Sequence, residues 1–182
     1  IDIALAQPSS LLDYYQDVAV IAYPALSTEI DDAQRKPVIT ASDANFDPAI
    51  VTNGDLTDIT PLVPKKQQEA WLQFAYQQPY TLRLVDMLLN SGRGLEVSLH
   101  TSNDGKHFTK VDDLTLRRPG KNTFGFDQAF TGHTAKYFRL VTEKAMHIHE
   151  LKLSSTPTMD NYSGRTSASR TDFQGFKHIG NA

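Results

Sequence analysis

The sequence predicts an all-β fold, an antiparallel β-sandwich, on three observations. Apolar and polar residues alternate at 95–100, 124–126, 138–140 and 151–153, the two-residue period of a strand with one buried face. Turn-forming pairs such as Asn53-Gly54 and Asp104-Gly105 separate these stretches and suit the positive φ of tight connections. No long stretch carries a convincing helical period, which argues against alternating α/β layers.

Taken in order, residues 1–16 form a lead-in in which Pro8-Ser9-Ser10 can cap a short helical turn through Leu12. Asp17-Val18-Ala19-Val20-Ile21-Ala22-Tyr23-Pro24 is a continuous apolar run closed by proline, the pattern of a strand buried on both faces. Glu29-Ile30-Asp31-Asp32 reads as a solvated acidic loop. Residues 41–64 hold Asp47-Pro48, Asn53-Gly54, Thr60-Pro61 and Val63-Pro64 and are expected to carry little regular structure.

From Trp71 the rhythm changes. A strand is expected over 82–89, with Asn90-Ser91-Gly92-Arg93-Gly94 as a hairpin loop into the next one. There Leu95, Val97 and Leu99 should face the core, and Glu96, Ser98 and His100 should face solvent or a partner domain. Asn103-Asp104-Gly105 makes a second tight turn into 108–111. Phe124 and Phe126, Phe138 and Leu140, and Leu151 and Leu153 continue the alternation, for about nine candidate strands in all. After Leu153 the composition shifts to Ser, Thr, Gly, Asn and Arg. The sandwich is therefore expected over 17–153, with 154–182 as a polar tail or linker.

A chain of 182 residues, 40% hydrophobic and 21% charged, can bury a sizeable core without covalent staples. Its net charge of −3 provides no basic stripe for phosphates and excludes nucleic acid as the expected partner. The absence of cysteine excludes disulfides and thiolate metal sites. The longest apolar run, 18–23, is far short of the ~20 residues of a membrane-spanning helix. No basic segment precedes an apolar one at the start, and the chain begins at Ile1; a piece of a longer protein, or a processed form, is expected.

Five segments recur in a telling order: Asn53-Gly54-Asp55-Leu56, Trp71-Leu72-Gln73-Phe74, Ser102-Asn103-Asp104-Gly105-Lys106-His107-Phe108, Tyr137-Phe138-Arg139-Leu140 and Glu150-Leu151-Lys152-Leu153. Together they resemble the discoidin, or coagulation-factor type C, branch of the galactose-binding-like domains. The run Tyr15-Gln16-Asp17-Val18-Ala19-Val20-Ile21-Ala22-Tyr23-Pro24 is similar to the segment preceding the β-sandwich module of glycoside hydrolase family 106, the bacterial α-L-rhamnosidases. The resemblance implies a jelly-roll-like sandwich acting as a non-catalytic, carbohydrate-binding-like module. Its partner would be the catalytic (β/α)-barrel of the same parent chain, in an exported protein (periplasmic, cell-surface or secreted) acting on plant-type glycans. A self-sufficient lectin-like domain and an adhesion or scaffold module without a sugar site are the alternatives.

The residues themselves supply no reaction centre. Asp31-Asp32 and Asp112-Asp113 are adjacent acids, but glycoside hydrolysis needs two carboxyls flanking the bond, about 5–5.5 Å or 6.5–9.5 Å apart. No apolar pocket that would separate their protonation states can be read around either pair, so no catalytic residue is assigned. Neither a Gly-x-Ser-x-Gly elbow nor a phosphate-cradling glycine loop occurs. His147 and His149 are two apart on an expected strand and should project from one face; zinc needs a third ligand, and none lies at a helpful spacing. Since Leu151 and Leu153 share that parity, at least one of the two rings is expected to be half-buried and bonded to backbone.

Calcium is the one cofactor the pattern suits. Asn53, Asp55 and Thr57 alternate through a turn-rich loop, and Glu150 lies on the last strand; hard oxygens of this kind, completed by main-chain carbonyls, are what Ca²⁺ takes. The resemblance implies the same, because many discoidin-like domains hold a structural calcium with matching residues. Trp71 is expected to pack in the core or at its rim. Tyr76, Tyr80, Arg93 and His133 are the groups able to line a sugar site, and the sequence does not choose among them.

Overall fold

The computed structural model describes residues 24–30, 34–90, 94–116 and 124–158. The strand expected from Asp17, Arg93 and Asp31-Asp32, and the tail beyond residue 158, lie outside them. Seven strands are described: β1 Val38–Ala41, β2 Thr60–Leu62, β3 Ala70–Asn90, β4 Val97–Ser102, β5 Thr109–Leu114, β6 Phe124–Thr142 and β7 Met146–Ser154. One 3₁₀ turn, Ile50–Thr52, sits between β1 and β2. Every pairing is antiparallel. The fold is the all-β sandwich that the alternation predicts.

Its two layers share two long strands. Residues 70–75 of β3 pair with β1 and with 137–142 of β6, which pairs on with β4 and so with β5. Residues 84–90 of β3 pair instead with β7 and with 124–129 of β6, and β7 carries β2. Two irregularities let the strands pass from one layer to the other. Between Ala75/Tyr137 and Tyr80/Ala135, β3 runs through 76–79 while β6 advances only through Lys136. Between Leu82/His133 and Leu84/Ala129, Arg83 faces the longer stretch 130–132, where Gly132 has φ 133°. Insertions of this kind bend a strand and raise its twist. Pro79, which has no N–H for a ladder, falls inside the first arch.

The core lies between the layers, with Leu72, Phe74, Leu99 and Leu140 from one meeting Val85, Met87, Ile148 and Leu151 from the other. Leu95, Val97 and Leu99 are buried while Glu96 is exposed and Ser98 and His100 are partly so, as the period requires. Asn103-Asp104-Gly105 does turn β4 into its partner β5, with Gly105 at φ 73°. The Asn90–Gly94 hairpin is corrected: among the described residues β4 pairs with β5 and β6 and not with β3.

Candidate functional site

The outer face of the β1-β3-β6-β4-β5 layer carries a cross-strand row of polar groups: Thr40, Gln73, Arg139, His100 and Lys110 stand opposite one another in register. At its centre the Arg139 guanidinium lies over the Trp71 ring at 4.2 Å and the Phe108 ring at 3.7 Å, and Nε donates to Gln73 Oε1 at 2.9 Å. Contact with an aromatic face stabilises such a cation by about 0.5–2 kcal/mol. Trp71 is thus a half-buried rim residue tied to arginine. Burial lowers the pKa of Arg139 and also that of His100, on which Glu69 acts in the opposite sense. His100 Nε2 shares a 2.9 Å hydrogen bond with Ser98 Oγ, and Lys110 pairs with Asp113 at 2.7 Å.

On the other layer, the loop after the 3₁₀ turn crosses β7. The Gly54 N–H donates to Glu150 Oε2 at 3.3 Å. Asn53 Oδ1 accepts the Asp55 N–H at 2.7 Å, and Asp55 Oδ1 accepts both the N–H and the hydroxyl of Thr57 at 2.9 and 2.7 Å. The loop and Glu150 therefore adjoin, while Asn53 Oδ1 and Asp55 Oδ1 are turned onto donors within the loop. Burial pushes the Glu150 carboxyl above its ordinary value, the Gly54 N–H opposes this, and Asp86 adds to it. A half-buried carboxylate of this kind suits a cation. No group of three His, Asp or Glu side chains gathers among the described residues, so a cation here would draw on Glu150, on loop carbonyls and on Asn53 or Asp55 rotated outward.

His147 and His149 do not share a face. β7 slips by one residue against β3, because Leu88 faces Glu150 and Leu89 faces Ile148, leaving His149 in the bulge. His147 is exposed and His149 buried. His149 Nδ1 contacts Asp58 O at 2.7 Å, the backbone bond expected for one of the pair, and its Nε2 is buried without a partner among the described residues. Strict alternation cannot show a bulge.

The remaining candidates fall in three places. Tyr76 and Tyr80 are core residues, 6% and 1% exposed, with rings stacked at 4.3 Å and set edge-on to Phe138; they cannot line a site. His133 is on the surface, 3.6 Å from Asp112 Oδ2 and edge-on to Phe130 at 5.4 Å. Asp112 and Asp113 thus face His133 and Lys110 on an open strand.

Two open depressions mark the described surface. One, lined by Ser102, Asn103, Asp104 and His107, follows the β4–β5 turn, where Asp104 accepts the Ser102 hydroxyl and the N–H groups of Lys106 and His107. Its Oδ2 meets His107 Nδ1 at 2.7 Å. These donors hold the Asp104 carboxyl far below its usual range, and Asp104 raises His107. The other lies between the β2–β3 connection and the β6–β7 turn, against Lys65, Gln68, Glu69 and Glu143.

No protein-family model and no curated protein matches the chain. Solved structures match its fold. A pectin binding carbohydrate-binding module is 21% identical over 68% of this chain and 94% of its own, at a TM-score of 0.51. A rhamnosidase from Novosphingobium sp. PP1Y is 23% identical over 70% of this chain at 0.58, but the match spans only 12% of that enzyme. The CBM32 module of AlyQ, in complex with 4,5-unsaturated mannuronic acid, is 19% identical over 66% and 96% at 0.53. At these identities the likeness shows the fold alone, the β-sandwich.

Proposed function

We propose that this chain is a non-catalytic, carbohydrate-binding module of a larger bacterial glycoside hydrolase, an α-L-rhamnosidase acting on plant-type glycans. The observation that carries the reading is the sandwich. It matches nearly the whole of one pectin binding module and a 12% portion of a rhamnosidase, the scale of one module beside a catalytic barrel. The acids Asp112, half-buried, and Asp113, exposed, both face basic groups on an open strand and support a binding role over a hydrolytic one. The family resemblance is what supports an exported parent, periplasmic, cell-surface or secreted.

Structural calcium belongs to the same proposal. Asn53, Asp55, Thr57 and Glu150 are its ligands, and its part is to fasten the loop to β7. The Gly54–Glu150 contact and the burial of that carboxyl support it.

The test pairs turnover with retention. Incubated at high concentration with a chromogenic aryl α-L-rhamnoside, the chain should release no chromophore, while migrating late through a gel containing rhamnose-bearing plant polysaccharide. Turnover abolished by a single Asp or Glu substitution would overturn the non-catalytic assignment.

A further inference from the structure

Arg139 is set up for a partner that the described residues do not supply. Its one hydrogen bond among the described residues uses Nε, which leaves the two Nη groups without an acceptor from those residues. Among the described residues no carboxylate pairs with it; on this face Asp113 is engaged by Lys110. The guanidinium is partly buried, and two aromatic rings and an amide fix its plane. A planar fork of N–H donors matches the two oxygens of a carboxylate. A fork already held in place loses less freedom on binding.

We infer that this outer sheet face binds an acidic glycan, taking the carboxylate of a uronate residue on the Arg139 fork. The inference rests on the carbohydrate-binding reading above and names its ligand class. The rims of Trp71 and Phe108 meet the sugar ring, and Gln73 and His100, in the same row, meet its hydroxyls. A neutral sugar leaves the partly desolvated cation unpaired, so the face discriminates by charge as well as by shape.

Calorimetric titration of the full chain tests this with a galacturonate trisaccharide, its methyl ester and a neutral rhamnose-bearing oligosaccharide. The acid should bind about tenfold or more tightly than the ester, as expected for a charge-assisted pair, and should weaken with added salt. Arg139→Lys keeps the charge but loses the fork, and should erase the preference for acid over ester. Because Arg139 supports two rings, the wild-type protein is also followed by NMR, where the Arg139 Nε–Hε resonance should shift as the acid is added. Equal affinity for acid and ester, or acid selectivity retained in a folded Arg139→Lys, overturns the inference. If the neutral glycan binds as well as the acid, only the inference fails. If none of the three binds, the reading beneath it fails too.

Discussion

Replacing Val97 by aspartate tests the register on which the sandwich rests. Val97 is 2% exposed and stands opposite Leu114 on β5 and Thr142 on β6, between the core residues Leu95 and Leu99. Losing the valine burial costs about 1.5–3 kcal/mol, and placing an unpaired polar group there costs about 1–3 kcal/mol more. A total of about 2.5–6 kcal/mol is a large share of the 5–15 kcal/mol typical of a domain. At roughly 2–4 °C per kcal/mol for a chain of this size, Tm should fall by about 5–24 °C. Ser98→Asp is the control. It forfeits the bond to His100, worth about 0.5–1.5 kcal/mol, and faces Asp113 across the ladder, a like-charge cost of up to about 1 kcal/mol. Thermal unfolding followed by circular dichroism should separate the two. If Val97→Asp melts with the wild type while Ser98→Asp collapses, the register is inverted.

Glu150 carries a prediction whose sign depends on calcium. A carboxyl raised by burial contributes stability at low pH that is lost as pH rises through its folded pKa. Without metal, Glu150→Gln should therefore be neutral or stabilising at pH 7. With calcium at a hundredfold excess over Kd the wild type should gain about 2.7 kcal/mol, a chelator should remove the gain, and Glu150→Gln should not respond; identical wild-type melting curves in chelator and in calcium would remove the calcium proposal. At the β4–β5 turn, Asp104 is depressed and His107 raised, so the contact contributes most between their ordinary values of 3.8 and 6.5. It weakens as pH falls through the folded pKa of Asp104 or climbs through that of His107. An NMR titration should show His107 above its ordinary value and Asp104→Asn should restore it, whereas an unchanged His107 in that variant would break the assignment. Tyr80→Ala should cost about 3–5 kcal/mol, as for other large buried aromatics, in a urea titration; a loss below 1 kcal/mol would place the ring outside the core.

The parity of Leu95, Val97 and Leu99 was legible because one face of β4 is buried and the period is undisturbed. The Asp104-Gly105 turn was legible because its conformation is a local demand of the backbone. What eluded the sequence is non-local. Asn90–Gly94 has the composition of a hairpin, yet which strands pair is decided by the crossing of β3 and β6 between layers. Tyr76 and Tyr80 flank polar residues and a proline, but the arch at 76–79 folds their rings onto Phe138. The bulge at His149 has no signature in the residue types around it. At the candidate site, the oxygen donors of the Asn53 loop and Glu150 are legible as one set from their types and from the resemblance, whereas Arg139 stands in the sequence only within Tyr137-Phe138-Arg139-Leu140. Its contacts with Trp71, Phe108 and Gln73 join segments far apart in the chain, and alternation shows only which way one side chain points.

Calorimetric titration of the 182-residue chain with a panel of plant glycans, rhamnose-bearing and uronate-bearing oligosaccharides included, tests the central claim most directly. Each mixture is assayed for new reducing ends at the close of the titration. The account predicts saturable binding of at least one glycan with no bond cleaved. Cleavage that depends on a single carboxylate of this chain, or no binding across the panel, would contradict it.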